Sequence, residues 1–198
     1  MTHTDLEMQD RNLRAEADAL LARYEVLQTL RRFGAPHVSG SYALRLMTWR
    51  DLDIYLEMEP VDGRMFLELG RQLGDVLTPR KLSFTDHLNF PPTEGLRGLY
   101  WGVRTDDLSC GGWKIDIWGV DHAVCADRLA YCESLAARIE EPARRAILTI
   151  KEEVCRLPSY RDSITSKDVY DAVLVGGATS VEGFWEHVRR RDSGVATR

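Results

Sequence analysis

The chain of 198 residues lacks most of the short signatures that assign a chemistry at sight. It has no Gly-x-x-x-x-Gly-Lys-Ser/Thr loop and no Gly-x-Gly-x-x-Gly run, so P-loop and dinucleotide-binding readings lose their anchors. No Gly-x-Ser-x-Gly elbow supports a hydrolase. Histidines 3, 37, 87, 122 and 187 are scattered without an HExxH-like spacing. Cys110, Cys125, Cys132 and Cys155 form no CxxC pair and no metal-ligand spacing. They read as reduced core thiols, with Cys125 and Cys132 on one helix face.

Apolar runs and positive charge are also in short supply. No run approaches the roughly 18 residues that a transmembrane helix needs. The N-terminus "MTHTDLEMQDRNLRAE" has no basic segment leading into an apolar one, the mark of a signal peptide. A cytoplasmic protein without a membrane partner is expected. The formal net charge of −5 argues against broad nucleic-acid binding, which rests on neutralising phosphates; a local basic patch stays open. The 44% hydrophobic content is ample for a core. There are no repeats or low-complexity stretches.

Residues 9–33 read as one amphipathic helix, with Leu13, Ala17, Leu20, Tyr24 and Leu27 at spacings of three and four. "PHVSG" reads as a short strand, "SYALRLM" as one or two helical turns, and 51–58 as a strand. Asp62-Gly63 marks a turn before the helix "RMFLELGRQLGDVL". "KLSFTDHLNF", "LRGLYWGVR" and "WKIDIWGV" are three further strand candidates. Beyond 121 the composition turns helical to about 190. Thr165 and Asp168 resemble a capping box, Gly176-Gly177 closes that helix, and the tail from Asp192 frays. The expected division is 1–120 and 121–198.

One stretch carries chemistry: "GSYALRLMTWRDLDIYL", residues 40–56. Asp51 and Asp53 sit at i and i+2 on a strand, so both carboxylates leave one face. Unpaired, they repel and raise each other's pKa; a divalent cation turns that repulsion into a binding site. Mg²⁺ favours one or two carboxylates plus phosphate oxygens. In "WKIDIWGV" the alternation puts Lys114, Asp116 and Trp118 on one face. If the strands are neighbours, Asp116 stands beside the pair, and the three carboxylates converge within one metal-site distance. Three carboxylates can hold two ions, the arrangement suited to phosphoryl transfer. Gly40 lets backbone approach a phosphate, and Ser41 with nearby N–H groups binds anionic oxygens. Blander readings stand beside these: a solvated strand face for Asp51 and Asp53, pairing of Asp116 with Lys114 or an arginine, and simple capping by Ser41. Arg45 and Arg50 flank the phosphate position or only solvate the surface. Tyr170 and Asp171 read as packing and capping residues.

"VSGSYALRLMTWRDLDIYL" together with "KIDIW" resembles the signature of the nucleotidyltransferase superfamily typified by DNA polymerase β. That signature is an apolar residue, Gly, Gly or Ser, a spacer, then Asp-apolar-Asp, with a third carboxylate on a later strand. The resemblance covers residues 38–118. It implies an α/β (α+β) nucleotidyltransferase fold with a short mixed sheet, followed by a helical C-terminal region. It further implies transfer of a nucleoside monophosphate, AMP in first place, from a nucleoside triphosphate to an acceptor. Asp51, Asp53 and Asp116 would hold Mg²⁺ or Mn²⁺ and carry the catalysis, with Gly40, Ser41 and Arg45 at an ATP-like triphosphate. A weaker likeness of the later helices to small bacterial members, toxin-like ones included, adds Lys151 as a triphosphate ligand; the alternative for Lys151 is an exposed helix lysine. The acidic balance points to a small, cationic acceptor. Modification of RNA or protein is the alternative, as is a non-catalytic nucleotide-binding module of the same fold.

Overall fold

Strict alternation on two strands sets the architecture. In the computed structural model, which describes residues 3–93, 95–106, 111–160 and 163–193, β2 (Asp51–Glu57) and β5 (Trp113–Val120) lie side by side and parallel. Leu52, Ile54, Leu56, Trp113, Ile115 and Ile117 are buried on one face, which leaves Asp51, Asp53, Lys114, Asp116 and Trp118 on the other. β1 (Ala35–Ser39), β3 (Lys81–Asp86) and β4 (Leu99–Thr105) complete a mixed sheet of order β1-β2-β5-β4-β3, antiparallel apart from the central pair. The mixed sheet is thus the expected one. Cys110 and the last five residues of the tail lie outside the described residues.

The apolar face is covered by α1 (His3–Arg23), α2 (Val26–Leu30) and α4 (Gly63–Leu77). The single helix expected over 9–33 is two: Glu25 takes a left-handed conformation at φ 50° and breaks it. Asp62 is a helix cap rather than a plain turn residue, accepting from the N–H of Arg64 at 2.7 Å and of Met65 at 3.0 Å. Beyond the sheet, α5 (His122–Arg138), α6 (Glu141–Val154), α7 (Ser166–Leu174) and α8 (Val181–Asp192) build a second apolar cluster, which also takes in Leu6, Leu44 and Leu46. The capping box of α7 forms, with Thr165 N–H donating to Asp168 at 2.7 Å, and Gly177 follows at φ 70°.

β4 is fixed through Trp101, whose Nε1 donates to the Phe66 carbonyl at 2.8 Å. Its ring lies so close over α4 that a Cβ on Gly70 would stand 2.1 Å from it, whereas one on Gly74 would meet nothing. Both glycines are interior to the helix, where Ala is better than Gly by about 0.5–1 kcal/mol. Gly74→Ala should therefore raise the urea midpoint. At Gly70 the overlap costs about 1–3 kcal/mol, which outweighs that gain, so Gly70→Ala should lower it. Equal shifts in denaturant titrations of the two variants would show that Trp101 does not seat on α4.

Candidate active site on the polar sheet face

Pairing register brings the acidic residues together. Asp53 lies opposite Asp116, and Asp51 opposite Lys114. Asp51, Asp53, Arg104, Lys114 and Asp116 floor a cleft of about 700 Å³, and Pro158, Tyr160, Thr165 and Ser166 close it from the helical side. Lys114 Nζ donates to Asp51 at 2.9 Å and also to Asp116. Tyr100 donates its hydroxyl proton to the other Asp116 oxygen at 2.9 Å. The pairing of Asp116 with Lys114, one of the two readings left open by the sequence, is therefore present. The three carboxylates share a face and a cleft.

Electrostatics follow from this crowding. Burial, and then repulsion from Asp51, pushes the Asp53 carboxyl up to about 7. Burial also raises Asp51, against the pull of Lys114. For Lys114 the cost of burial is outweighed by Asp51 and Asp116, and its pKa rises. The Tyr100 hydroxyl is raised by burial and by Asp116, so it remains a neutral donor. Positive charge is what the cluster lacks, and a side-chain ammonium stands in for part of it. The all-oxygen donor set, with Lys114 as that stand-in, fits a hard divalent cation.

Gly40 is the part of the motif with the tightest geometric demand. It opens the short α3 (Gly40–Ala43) at φ 61°, and a Cβ there would stand 2.1 Å from the Asp53 carboxylate. The backbone thus abuts the carboxylate directly, as only glycine permits. Ser41 is buried inside α3; the cap position belongs to Ser39.

The spacer from 44 to 50 has little regular structure, and its backbone is held by side chains from two helices. From α1, Asp10 accepts from Met47 N–H at 2.9 Å and Gln9 donates to the Thr48 carbonyl at 2.8 Å. From α6, Arg144 donates to the Leu44 and Arg45 carbonyls and Lys151 to the Leu46 carbonyl at 2.7 Å. Lys151 is only 1% exposed, so the exposed-lysine alternative is overturned. It sits over the Tyr170 ring at 5.7 Å, and burial lowers its pKa to about 8 against the attraction of Asp51. Tyr170 is a packing residue as expected, while Asp171 pairs with Lys167. Arg45 stands apart from the cleft: it lines another hollow with Arg11, Arg14, Arg144 and Glu141. Arg50 pairs with Glu16 at 2.8 Å.

Sequence reasoning missed Tyr100, Arg104 and the cleft wall at Tyr160 and Ser166. Tyr100 and Arg104 were legible in principle, since alternation about the buried Trp101 and Val103 turns both to the polar face. Tyr160 and Ser166 carry no local signal; only tertiary packing brings them there.

The same arrangement of sheet and helices recurs in solved structures. The Cid1 poly(U) polymerase with MgATP superposes at TM-score 0.58 and 15% identity, over 82% of this chain and 49% of that one. A cytoplasmic RNA terminal U-transferase gives 0.55 and 16%, over 83% and 48%. Terminal uridylyl transferase 4 from Trypanosoma brucei with bound UPU gives 0.55 and 12%, over 85% and 57%. The chain has the nucleotidyltransferase fold. It spans about half the length of the first two of these structures. The sequence itself matches no protein-family model and no curated protein. Among the described residues of this nucleotidyltransferase fold, no helix is long and apolar enough to cross a membrane.

The raised Asp53 carboxyl makes a signed prediction for metal-free protein. A carboxyl whose folded pKa exceeds its unfolded value, here about 7 against 3.8, favours the fold below the unfolded pKa. That contribution is lost as pH rises through the folded pKa. In EDTA, wild type should therefore lose roughly 2–4 kcal/mol relative to Asp53→Asn between pH 4 and pH 8. Parallel stability curves for the two proteins over that range would show that Asp53 carries no such strain.

Proposed function

We propose that the chain transfers a nucleoside monophosphate from a nucleoside triphosphate to the 3′-hydroxyl of an RNA, releasing pyrophosphate. The observation that carries this is the register of β2 and β5, which stacks Asp53 on Asp116 and sets Asp51 beside them at the floor of one cleft. Asp51, Asp53 and Asp116 would hold Mg²⁺ or Mn²⁺, displacing the Lys114 ammonium. Bound there, the ion supplies charge neutralisation of the phosphates and of the developing pyrophosphate. The chain's own residues do the rest. Gly40 brings its backbone against Asp53, Ser41 follows it in α3, and Ser166 at the start of α7 faces the aspartates from the opposite wall of the cleft. Lys151 adds a buried positive charge behind Asp51 and Asp53. The acceptor oxygen attacks the α-phosphorus, the bond to the β-phosphate bridging oxygen breaks, and the hydroxyl proton passes to Asp116. Positioning and electrostatics supply the rate.

The acceptor reading changes from the small cationic molecule suggested by net charge. Net charge averages over the whole surface, whereas Arg104 and Lys114 border both the cleft and a second hollow, lined also by Trp49, Arg50 and Trp113. Beside Asp116, Tyr100 and Trp118 stand 4.8 Å apart and Trp118 and His87 5.5 Å apart. Positive charge alternating with aromatic faces suits a single strand, and the structural neighbours are named for RNA ends and UTP. Those neighbours also carry MgATP and MgGTP, so ATP, the nucleotide expected from the sequence, and UTP are the first to compare. Residues 1–120 would form the catalytic unit and 121–198 its helical cover. The described cysteines are free, in keeping with a reducing cytoplasm.

Labelled ATP, UTP, CTP and GTP with Mg²⁺ and a short RNA provide the test. Label should join RNA bearing a free 3′-hydroxyl and not a 3′-deoxy RNA. Asp116→Ala should cut transfer by more than about 100-fold while nucleotide affinity changes far less. Label appearing in a small molecule of a cell extract would restore the first acceptor reading. Mg²⁺-dependent nucleotide binding with no labelled product of any kind would mark a non-catalytic module.

A further inference from the structure

At the far end of the polar sheet face, three metal-capable side chains that the nucleotide site does not use meet, and a fourth, His122, stands beside them against Glu57. His37 is on β1, Glu57 ends β2, and His122 and Cys125 occupy the first turn of α5. A ring nitrogen of His37, a carboxylate oxygen of Glu57 and Cys125 Sγ all lie within 4.8 Å of one another. His37 Nε2 stands 3.6 Å from Glu57 Oε2, and His122 Nδ1 2.9 Å from Glu57 Oε1. His37 Nε2 is shielded from solvent yet has no hydrogen-bond partner among the described residues, and a shielded polar atom without a partner is costly. Cys125 is fully buried.

Local structure explains the meeting. Antiparallel pairing sets Ala35 against Glu57, so His37, two residues on, shares its face. Asp121 caps α5 by accepting from Val124 N–H at 2.8 Å, and Glu59 accepts from His122 N–H at 2.9 Å. These bonds hold the first turn of α5 over the end of β2. His122 and Cys125, three apart, then project from one side of the helix.

We propose that His37, Glu57, His122 and Cys125 bind a zinc ion that ties α5, the first helix of the cover, to the sheet. Imidazole, carboxylate and thiolate together are a zinc donor set, whereas Mg²⁺ takes oxygen. With bonds of about 2.0–2.1 Å, nitrogen and oxygen ligands of a tetrahedral zinc stand about 3.4 Å apart; the His37–Glu57 separation is close to that. On binding, Cys125 gives its proton to solvent and His37 presents its neutral Nε2 lone pair. The site is separate from the carboxylate cleft, since Glu57 lies four residues, roughly 13 Å, along β2 from Asp53.

The full chain, reduced and stripped with chelator, is titrated with Co²⁺ under anaerobic conditions and followed by absorbance. One equivalent should give a thiolate-to-cobalt charge-transfer band with tetrahedral visible bands, and Zn²⁺ should abolish both. Asp53→Asn should keep the band and Cys125→Ala should lose it. His37→Gln should weaken Zn²⁺ binding by about 100-fold or more, since losing a direct ligand costs at least as much as losing its outer partner. Should Cys125→Ala fail to fold, His37→Gln and Glu57→Gln, both at partly exposed positions, decide the matter alone. Absence of a thiolate band in wild type overturns the proposal. So does a band or affinity that persists unchanged in the His37 and Glu57 variants, which would place the metal on other thiols.

Discussion

Asp51, Asp53 and Asp116 are forced into proximity by the register of two parallel strands, and everything around them answers that repulsion. Parallel pairing of β2 with β5 leaves no freedom: once Leu52, Ile54, Ile115 and Ile117 face the core, the carboxylates must share the other face. Removing one partner of a buried charge pair typically costs about 3–5 kcal/mol, so the cluster is tolerable only with compensation. Lys114 supplies a cation between Asp51 and Asp116, and Tyr100 a further hydrogen bond to Asp116. Asp53 takes part in neither bond, and burial, then repulsion from Asp51, raises its carboxyl. A site built this way is poised to take up positive charge.

The second dependency is the spacer between the Gly40 turn and β2. A turn that must abut Asp53 to within the width of a hydrogen atom on Gly40 cannot hang from a loose loop. Asp10, Gln9, Arg144 and Lys151 therefore bond its backbone from two helices on separate parts of the chain. This explains why the helical region after 121 is not a detachable addition. α6 holds the loop that holds the glycine, and Leu44 and Leu46 sit in the helical cluster. The buried Lys151 is the clearest sign of that linkage, since burial of an ammonium is affordable only with a carbonyl, an aromatic face and nearby carboxylates to receive it.

Much of this was legible because it obeys short-range rules. Period-two alternation put Asp51, Asp53 and Asp116 on the right face, and the Thr165–Asp168 cap showed in its spacing. The helix break at Glu25 was not legible, because Tyr24 and Leu27 continue the apolar periodicity across it while a single left-handed residue turns the chain. Lys151 was misjudged for a related reason: a lysine in a helix carries no local mark of burial, and only the tertiary partner at Leu46 explains it. The grouping of His37, Glu57, His122 and Cys125 spans 89 positions of sequence in three pieces, and no spacing motif could announce it.

A carboxylate cluster built for a divalent cation should bind that cation more tightly once the Lys114 ammonium that partly fills its place is gone. Mn²⁺ affinity measured by electron paramagnetic resonance on wild type and Lys114→Met addresses it directly. Taking away a competing ammonium from between Asp51 and Asp116 should tighten Mn²⁺ binding by at least about tenfold, a gain of about 1.4 kcal/mol. Mn²⁺ binding that is unchanged or weaker in Lys114→Met would contradict the claim, and would make the ammonium a structural partner of the aspartates rather than a stand-in for a metal.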